Sequence, residues 1–171
     1  IGTRASRSMK ENNPNVPMTP SEIADDVYAV WKAGAAVAHL HMRDDNGNGT
    51  MDKNKFIETL DLIKTRYPDC DIILNLTTSG ELGVTDERRM EHIIELKPEM
   101  ATYDAGTLNA GDGIFENSLE FLEKLGNCMS ENGIKPEVEV MDFGMINTAL
   151  HFMKQGSLLE PIHWDFVLNY G

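Results

Sequence analysis

Two histidines, His39 and His41, close the apolar run Ala35-Ala36-Val37-Ala38-His39-Leu40-His41. Side chains alternate along an extended strand, so residues two apart leave the same face and both imidazoles point one way. Two imidazoles converging at a strand end suit a zinc-type divalent ion, whose catalytic sites take about three protein ligands and keep one position open. Solvent-facing or core-satisfied histidines are the plainer alternative; the pairing directly after an apolar strand favours the metal. His92 and His151 fall within helical patterns and His163 begins a strand, so these three receive no role.

Three further groups of residues could carry chemistry. Thr77-Thr78-Ser79-Gly80 ends a second apolar run and can offer hydroxyl and backbone donors to a carboxylate or carbonyl oxygen, although the same residue types build ordinary turns. Thr102 and Asp104 share one face of a third run, and Glu137 and Glu139 share one face of a fourth. Acidic side chains inside a barrel are costly to bury unless they meet a metal, a cation or a substrate. The functional reading is a general base or a clamp for a substrate ammonium, its pKa raised by burial and neighbouring carboxylates. The alternative turns Glu137 and Glu139 to solvent and Val138 and Val140 inward. Arg43 and Asp44, next to the histidines, read either as groups that orient a ligand or bind an anion, or as a loop ion pair.

The elements that must position these residues alternate. Thr19-Pro20-Ser21-Glu22 announces a helix, with a capping hydroxyl and proline at the first helical position. Ile23, Val27, Val30 and Trp31 form its apolar stripe, Gly34 ends it, and the strand Ala35 to His41 follows, apolar on both faces as in a covered parallel sheet. Helices are expected over Phe56–Thr65, Asp86–Leu96, Ile114–Asn132 and Met145–Lys154, and strands over Asp71–Thr77, Met100–Asp104, Pro136–Met141 and Trp164–Asn169. Residues 1–17 read as an entry loop. This rhythm of about five βα units predicts a parallel sheet in a single α/β domain spanning residues 1–171, with chemistry at the carboxyl ends of the strands.

Bulk properties narrow the partners. With 28 acidic against 15 basic residues and a net charge of −13, the surface repels nucleic acid and anionic lipid. No apolar run approaches the ~20 residues of a membrane span and no signal-peptide plan opens the chain, so it reads as cytoplasmic. Cys70 and Cys128 are too few and too far apart for a disulfide framework or a thiolate metal site, and read as free thiols. The ten methionines are scattered core filler.

The run Ala33 to Asp45, with Lys97-Pro-Glu-Met-Ala-Thr, Gly106-Thr-Leu-Asn and Pro136-Glu-Val-Glu-Val in order and spacing, resembles the β-keto acid cleavage enzymes, the family of the 3-keto-5-aminohexanoate cleavage enzyme. The resemblance runs from about Asn13 to Asn169. It implies a (β/α)₈ TIM barrel, here incomplete because a full one needs about 250 residues. It also implies a homotetramer, a divalent metal, usually zinc, and acetyl-CoA as co-substrate, converting a β-keto acid to acetoacetate and an acyl-CoA. By this analogy His39 and His41 hold the metal, Thr77, Thr102 and Asp104 line the substrate pocket with Thr78, Ser79 and Gly80, and Glu139 is the pocket carboxylate. Asp104 stands where asparagine is common in the family and Ser79 where glycine is. The family's Arg-x-Gly-x-Glu-Asp motif, source of the carboxylate that completes the metal site, has no match before Gly171, and the first barrel strand is expected to be cut at Ile1.

Two rivals are weighed beside this. A metal-dependent hydrolase of the amidohydrolase type also places His-x-His at the end of a barrel strand and would activate water on the metal. A catalytically inactive barrel fragment would instead serve as a binding or assembly module through its exposed strand edges.

Overall fold

The computed structural model describes residue 10, residues 13–110 and residues 113–168. The expected entry loop and the first, cut strand lie largely outside these residues, as does Asn169 of the last expected strand. The chain divides into two compact units, residues 1–81 and 82–171.

In the first unit, helix α1 (Pro20–Lys32) starts where the capping hydroxyl was expected. Thr19 accepts from the Glu22 amide while the Glu22 carboxylate reaches back to the Thr19 amide, so two backbone donors are satisfied reciprocally. Its apolar face buries Ile23, Ala24 and Val27. Strand β1 (Val37–Leu40) follows, and a two-stranded antiparallel ribbon, β2 (Met42–Arg43) with β3 (Gly49–Thr50), leads to helix α2 (Lys53–Arg66). Strand β4 (Ile73–Leu76) returns parallel to β1, with His39 beside Asn75 and Leu40 beside Leu76.

In the second unit, helix α3 (Asp86–Leu96) and strand β5 (Met100–Asp104) have the expected bounds. A short antiparallel ribbon, β6 (Leu108–Ala110) with β7 (Gly113–Phe115), precedes helix α4 (Leu119–Asn132). Strand β8 (Lys135–Val140), helix α5 (Phe143–Gln155) and strand β9 (His163–Phe166) complete the unit, with β5, β8 and β9 parallel and adjacent in that order. Every residue of β5, and all of β8 after Lys135, is buried, as for strands covered on both faces.

The helix expected over Ile114–Asn132 is corrected at its start. Ile114 lies in β7, and the helix begins at Leu119, where the Ser118 hydroxyl accepts from the Phe121 amide. Ile114 and Leu119 are 64% and 63% exposed, so the apolar residues that prolonged the helical pattern face no core. Leu108 instead pairs with Phe115, and Asn109 with Ile114, across the antiparallel β6–β7 ribbon.

Candidate functional site

At the carboxyl end of β1 the His39 and His41 rings stack 4.9 Å apart at 9°, with their Nε2 atoms 2.9 Å from each other. His41 follows the last residue of β1, yet its ring stays on the His39 side, as the two-residue spacing required. Burial, and then the neighbouring His39, push the His41 imidazole down to about 3, so it is neutral across the physiological range. Its Nδ1 is buried without a hydrogen-bond partner among the described residues. Two nitrogens bound at 2.0–2.1 Å to one ion lie roughly 2.9–3.4 Å apart for angles between a right angle and the tetrahedral value, so this pair fits a shared divalent metal.

Beside the histidines, Asn75 is fully buried in the register position next to His39. The Thr77 amide donates to the Leu40 carbonyl, which carries the Thr77–Gly80 turn to the level of the histidines. Thr77 and Thr78 are fully buried, and the Thr77 hydroxyl is 3.0 Å from that of Ser79 and accepts from the Ser79 amide. Gly80 donates its amide to the Met51 sulfur, and a Cβ there would sit 3.0 Å from that sulfur and 3.1 Å from the Thr50 carbonyl, which explains the glycine. The backbone donors of Ser79 and Gly80 are therefore engaged within the chain, and what this turn can add is hydroxyls.

Arg43 and Asp44 behave as loop organisers. Asp44 accepts from the amides of Asn46 and Asn48 and from the Asn48 side chain, while Arg43 donates to the Gly47 carbonyl, together shaping the β2–β3 connection.

The carboxyl ends of β5 and β8 in the second unit carry the acidic residues. Thr102 pairs in register with Glu137, and Asp104 with Glu139. All four are buried, with Glu137 at 7% and Glu139 at 9% exposure, so the reading that turned the glutamates to solvent fails; Val138 and Val140 are buried too, because the strand is covered on both faces. Burial, and then the facing carboxylates of Asp104 and Glu137, push the Glu139 carboxyl up to about 10, and Glu139 is hydrogen-bonded to Asp104. Asp165, beside Glu139 in β9, adds to the same repulsion.

Several of these residues were not singled out from the sequence. Asn75 had one usable signal, a lone amide in an otherwise apolar strand. Asp165 had none short of the β8–β9 register, nor did the buried Arg89 and Asn117.

The model of the beta-keto acid cleavage enzymes matches residues 5–171. The chain belongs to that family. The 3-keto-5-aminohexanoate cleavage enzyme of Fusobacterium nucleatum is 45% identical over 161 residues, which are 94% of this chain and 58% of that protein. The 3-oxoadipate:acetyl-CoA acetyltransferase of Cupriavidus necator is 30% identical over 169 residues, 99% of this chain and 58% of that one. The chain thus spans 58% of the length of these relatives. Among solved structures, the binary complex of ObcA with oxaloacetate matches with a TM-score of 0.77 at 24% identity, over 88% of this chain and 37% of that one. This likeness carries the fold, a (β/α)₈ barrel present in part. Membership of the family sets aside the amidohydrolase-type reading of the His-x-His pair.

Proposed function

We propose that the protein containing this chain is a β-keto acid cleavage enzyme, using acetyl-CoA to convert a β-keto acid to acetoacetate and the CoA thioester of the remaining acyl group. The observation that carries this reading is the pair of stacked imidazoles, 2.9 Å apart at Nε2, at the end of β1 in a chain of this family. His39 and His41 would hold a divalent metal, which we take to be zinc, and a metal there supplies a Lewis acid for oxygen-centred negative charge.

The remaining roles belong to side chains of the chain. Glu139 holds a proton at neutral pH because burial and Asp104 disfavour its anion; positive charge entering the site would drive that proton to solvent and leave a carboxylate that takes the proton from C2 of the keto acid. The resulting carbanion attacks the acetyl thioester carbonyl and expels CoA thiolate. That thiolate then adds to the original ketone, the C2–C3 bond breaks, and the departing C2 carbanion takes a proton back from Glu139, which gives acetoacetate and the new acyl-CoA. Thr77, Thr78 and Ser79 supply hydroxyls and Gly80 the close backbone turn to bind the substrate, while Thr102 and Asp104 line its pocket. The acidic face of Asp104, Glu137 and Glu139 favours a keto acid bearing a cationic group, such as that named for the Fusobacterium relative, over a dicarboxylate.

The same reading assigns residues 1–171 to one partial barrel domain and makes the enzyme a cytoplasmic homotetramer. Among the described residues no helix is long and apolar enough to cross a membrane, and both cysteines are free. Product analysis tests the activity: full-length protein should convert acetyl-CoA to acetoacetate and a new acyl-CoA, with no net release of free CoA, only when a β-keto acid is supplied. Hydrolysis of amides or lactones, with no response to any keto acid, would refute it.

A further inference from the structure

Arg89 sits in the first turn of α3, yet its guanidinium is buried, at 5% exposure. Its Cζ lies 5.0 Å from the Phe115 ring centre and 3.9 Å from that of Phe121. One terminal nitrogen donates to the Glu116 carbonyl at 2.9 Å and the other to the Asn117 side-chain oxygen at 2.7 Å. Asn117 extends the chain of bonds. Its side-chain amide donates to the Gly106 carbonyl at 3.0 Å and its backbone amide to the Thr107 hydroxyl at 2.9 Å, while the Gly106 amide donates to the Asp104 carbonyl at 2.9 Å.

Burying an arginine is costly, and burial lowers the pKa of Arg89 to about 10, against the opposing attraction of Asp104 and Asp86. It therefore keeps its charge at neutral pH, and Asp104 is one of the groups that this charge acts on. The residues it holds, Glu116 and Asn117, come just after β7, and Asn117 ties them to Gly106 and Thr107, just before β6. Gly106, Thr107, Asn117, Ser118 and Met145 line a cavity of about 420 Å³ there. Gly106 has little latitude, since a Cβ at that position would lie 3.0 Å from the Met145 side chain.

We infer that Arg89 is a positioning residue: through Asn117 it fixes the Gly106–Thr107 turn, and through that turn it holds Asp104 in the geometry that substrate binding requires. The inference rests on the proposed role of Asp104 in the substrate pocket. Arginine is needed because its planar fork reaches two acceptors at once between two rings, which a lysine ammonium cannot reproduce.

The test uses the full-length protein and two variants. Arg89→Lys keeps the charge and loses the fork. Asn117→Asp keeps an oxygen for Arg89 and loses the donor to the Gly106 carbonyl. In both, amide exchange at Gly106 and Asn117 should accelerate, and KM for the β-keto acid should rise, each on the order of tenfold, the scale of one hydrogen bond to a charged group. The kcat should stay within about threefold, because the reacting groups are untouched. A lowered melting temperature with unchanged exchange and KM would make Arg89 a packing residue and overturn the inference. So would an Asn117→Asp variant indistinguishable from wild type. A wild-type protein inert toward every β-keto acid would instead sink the functional reading, while amide exchange would still decide whether Arg89 holds the turn.

Discussion

The histidine end of the first unit and the carboxylate end of the second use one device, two like polar residues spaced two apart at the carboxyl end of a parallel strand, and burial moves one member of each pair in opposite directions. It drives the His41 imidazole down to about 3 and the Glu139 carboxyl up to about 10. Both outcomes have the same cause, since a low-dielectric surrounding disfavours the charged form of either group. The consequences differ. A neutral imidazole has a lone pair ready for a cation, whereas a neutral carboxyl must first give up its proton. The first end is ready to bind; the second answers to whatever positive charge arrives.

The largest effect expected on this contrast comes from Glu139→Gln, which removes the titrating group while keeping its shape. Turnover should fall by about 10²–10⁴-fold, the range for losing a general base. Stability should move the other way. A carboxyl whose pKa is raised from 4.5 to about 10 contributes stability in full below 4.5 and loses it as pH climbs toward 10, because the unfolded chain sheds its proton first. The advantage of Glu139→Gln over wild type in thermal unfolding should therefore widen between pH 5 and pH 9. A constant difference across that range would show that the Glu139 proton is not held by burial.

Next in size, His39→Ala or His41→Ala should weaken metal binding by more than about 100-fold, beyond the loss typical of an outer partner of a ligand. Metal analysis after dialysis checks this; wild-type metal content in both variants would end the shared-ion reading of the pair. Thr77→Val should cost about 1–3 kcal/mol, since it leaves the Ser79 amide without the hydroxyl that accepts from it. Denaturant unfolding measures that loss. The smallest effect belongs to Lys124→Met, which breaks solvent-screened pairs with Asp86 and Glu120 and should leave the unfolding midpoint nearly unchanged. A larger loss there would mean that surface charge matters more in the second unit than burial does.

Legibility in the sequence followed the range of the interaction. The Thr19–Glu22 box, the helix at Asp86–Leu96 and the strand at Met100–Asp104 depend on neighbours within a turn or on strict alternation, and they lie where the pattern put them. The β2–β3 and β6–β7 ribbons did not show, because strands of two or three residues are too short for any period to register. At the site, the spacing of His39 and His41 was enough to place both rings on one side. The environment of Glu139 was not legible: alternation could not distinguish a strand with one polar face from a strand buried on both, and that distinction sets its pKa. Arg89 was illegible for a related reason, since its partners lie 27 and 28 residues away and one of them is a backbone carbonyl.

The contact between Gly80 and Met51 has a consequence for oxidative damage. The Met51 side chain is fully buried, and its sulfur accepts the amide that closes the Thr77–Gly80 turn. A sulfoxide oxygen would have to enter a space where even a glycine Cβ finds the sulfur at 3.0 Å. Peroxide can therefore reach Met51 only while the turn is open, and an oxygen once added there prevents the turn from closing as before. The rate at which Met51 gains 16 Da, a mass increment set by one oxygen atom, thus becomes a clock for the opening of this part of the pocket.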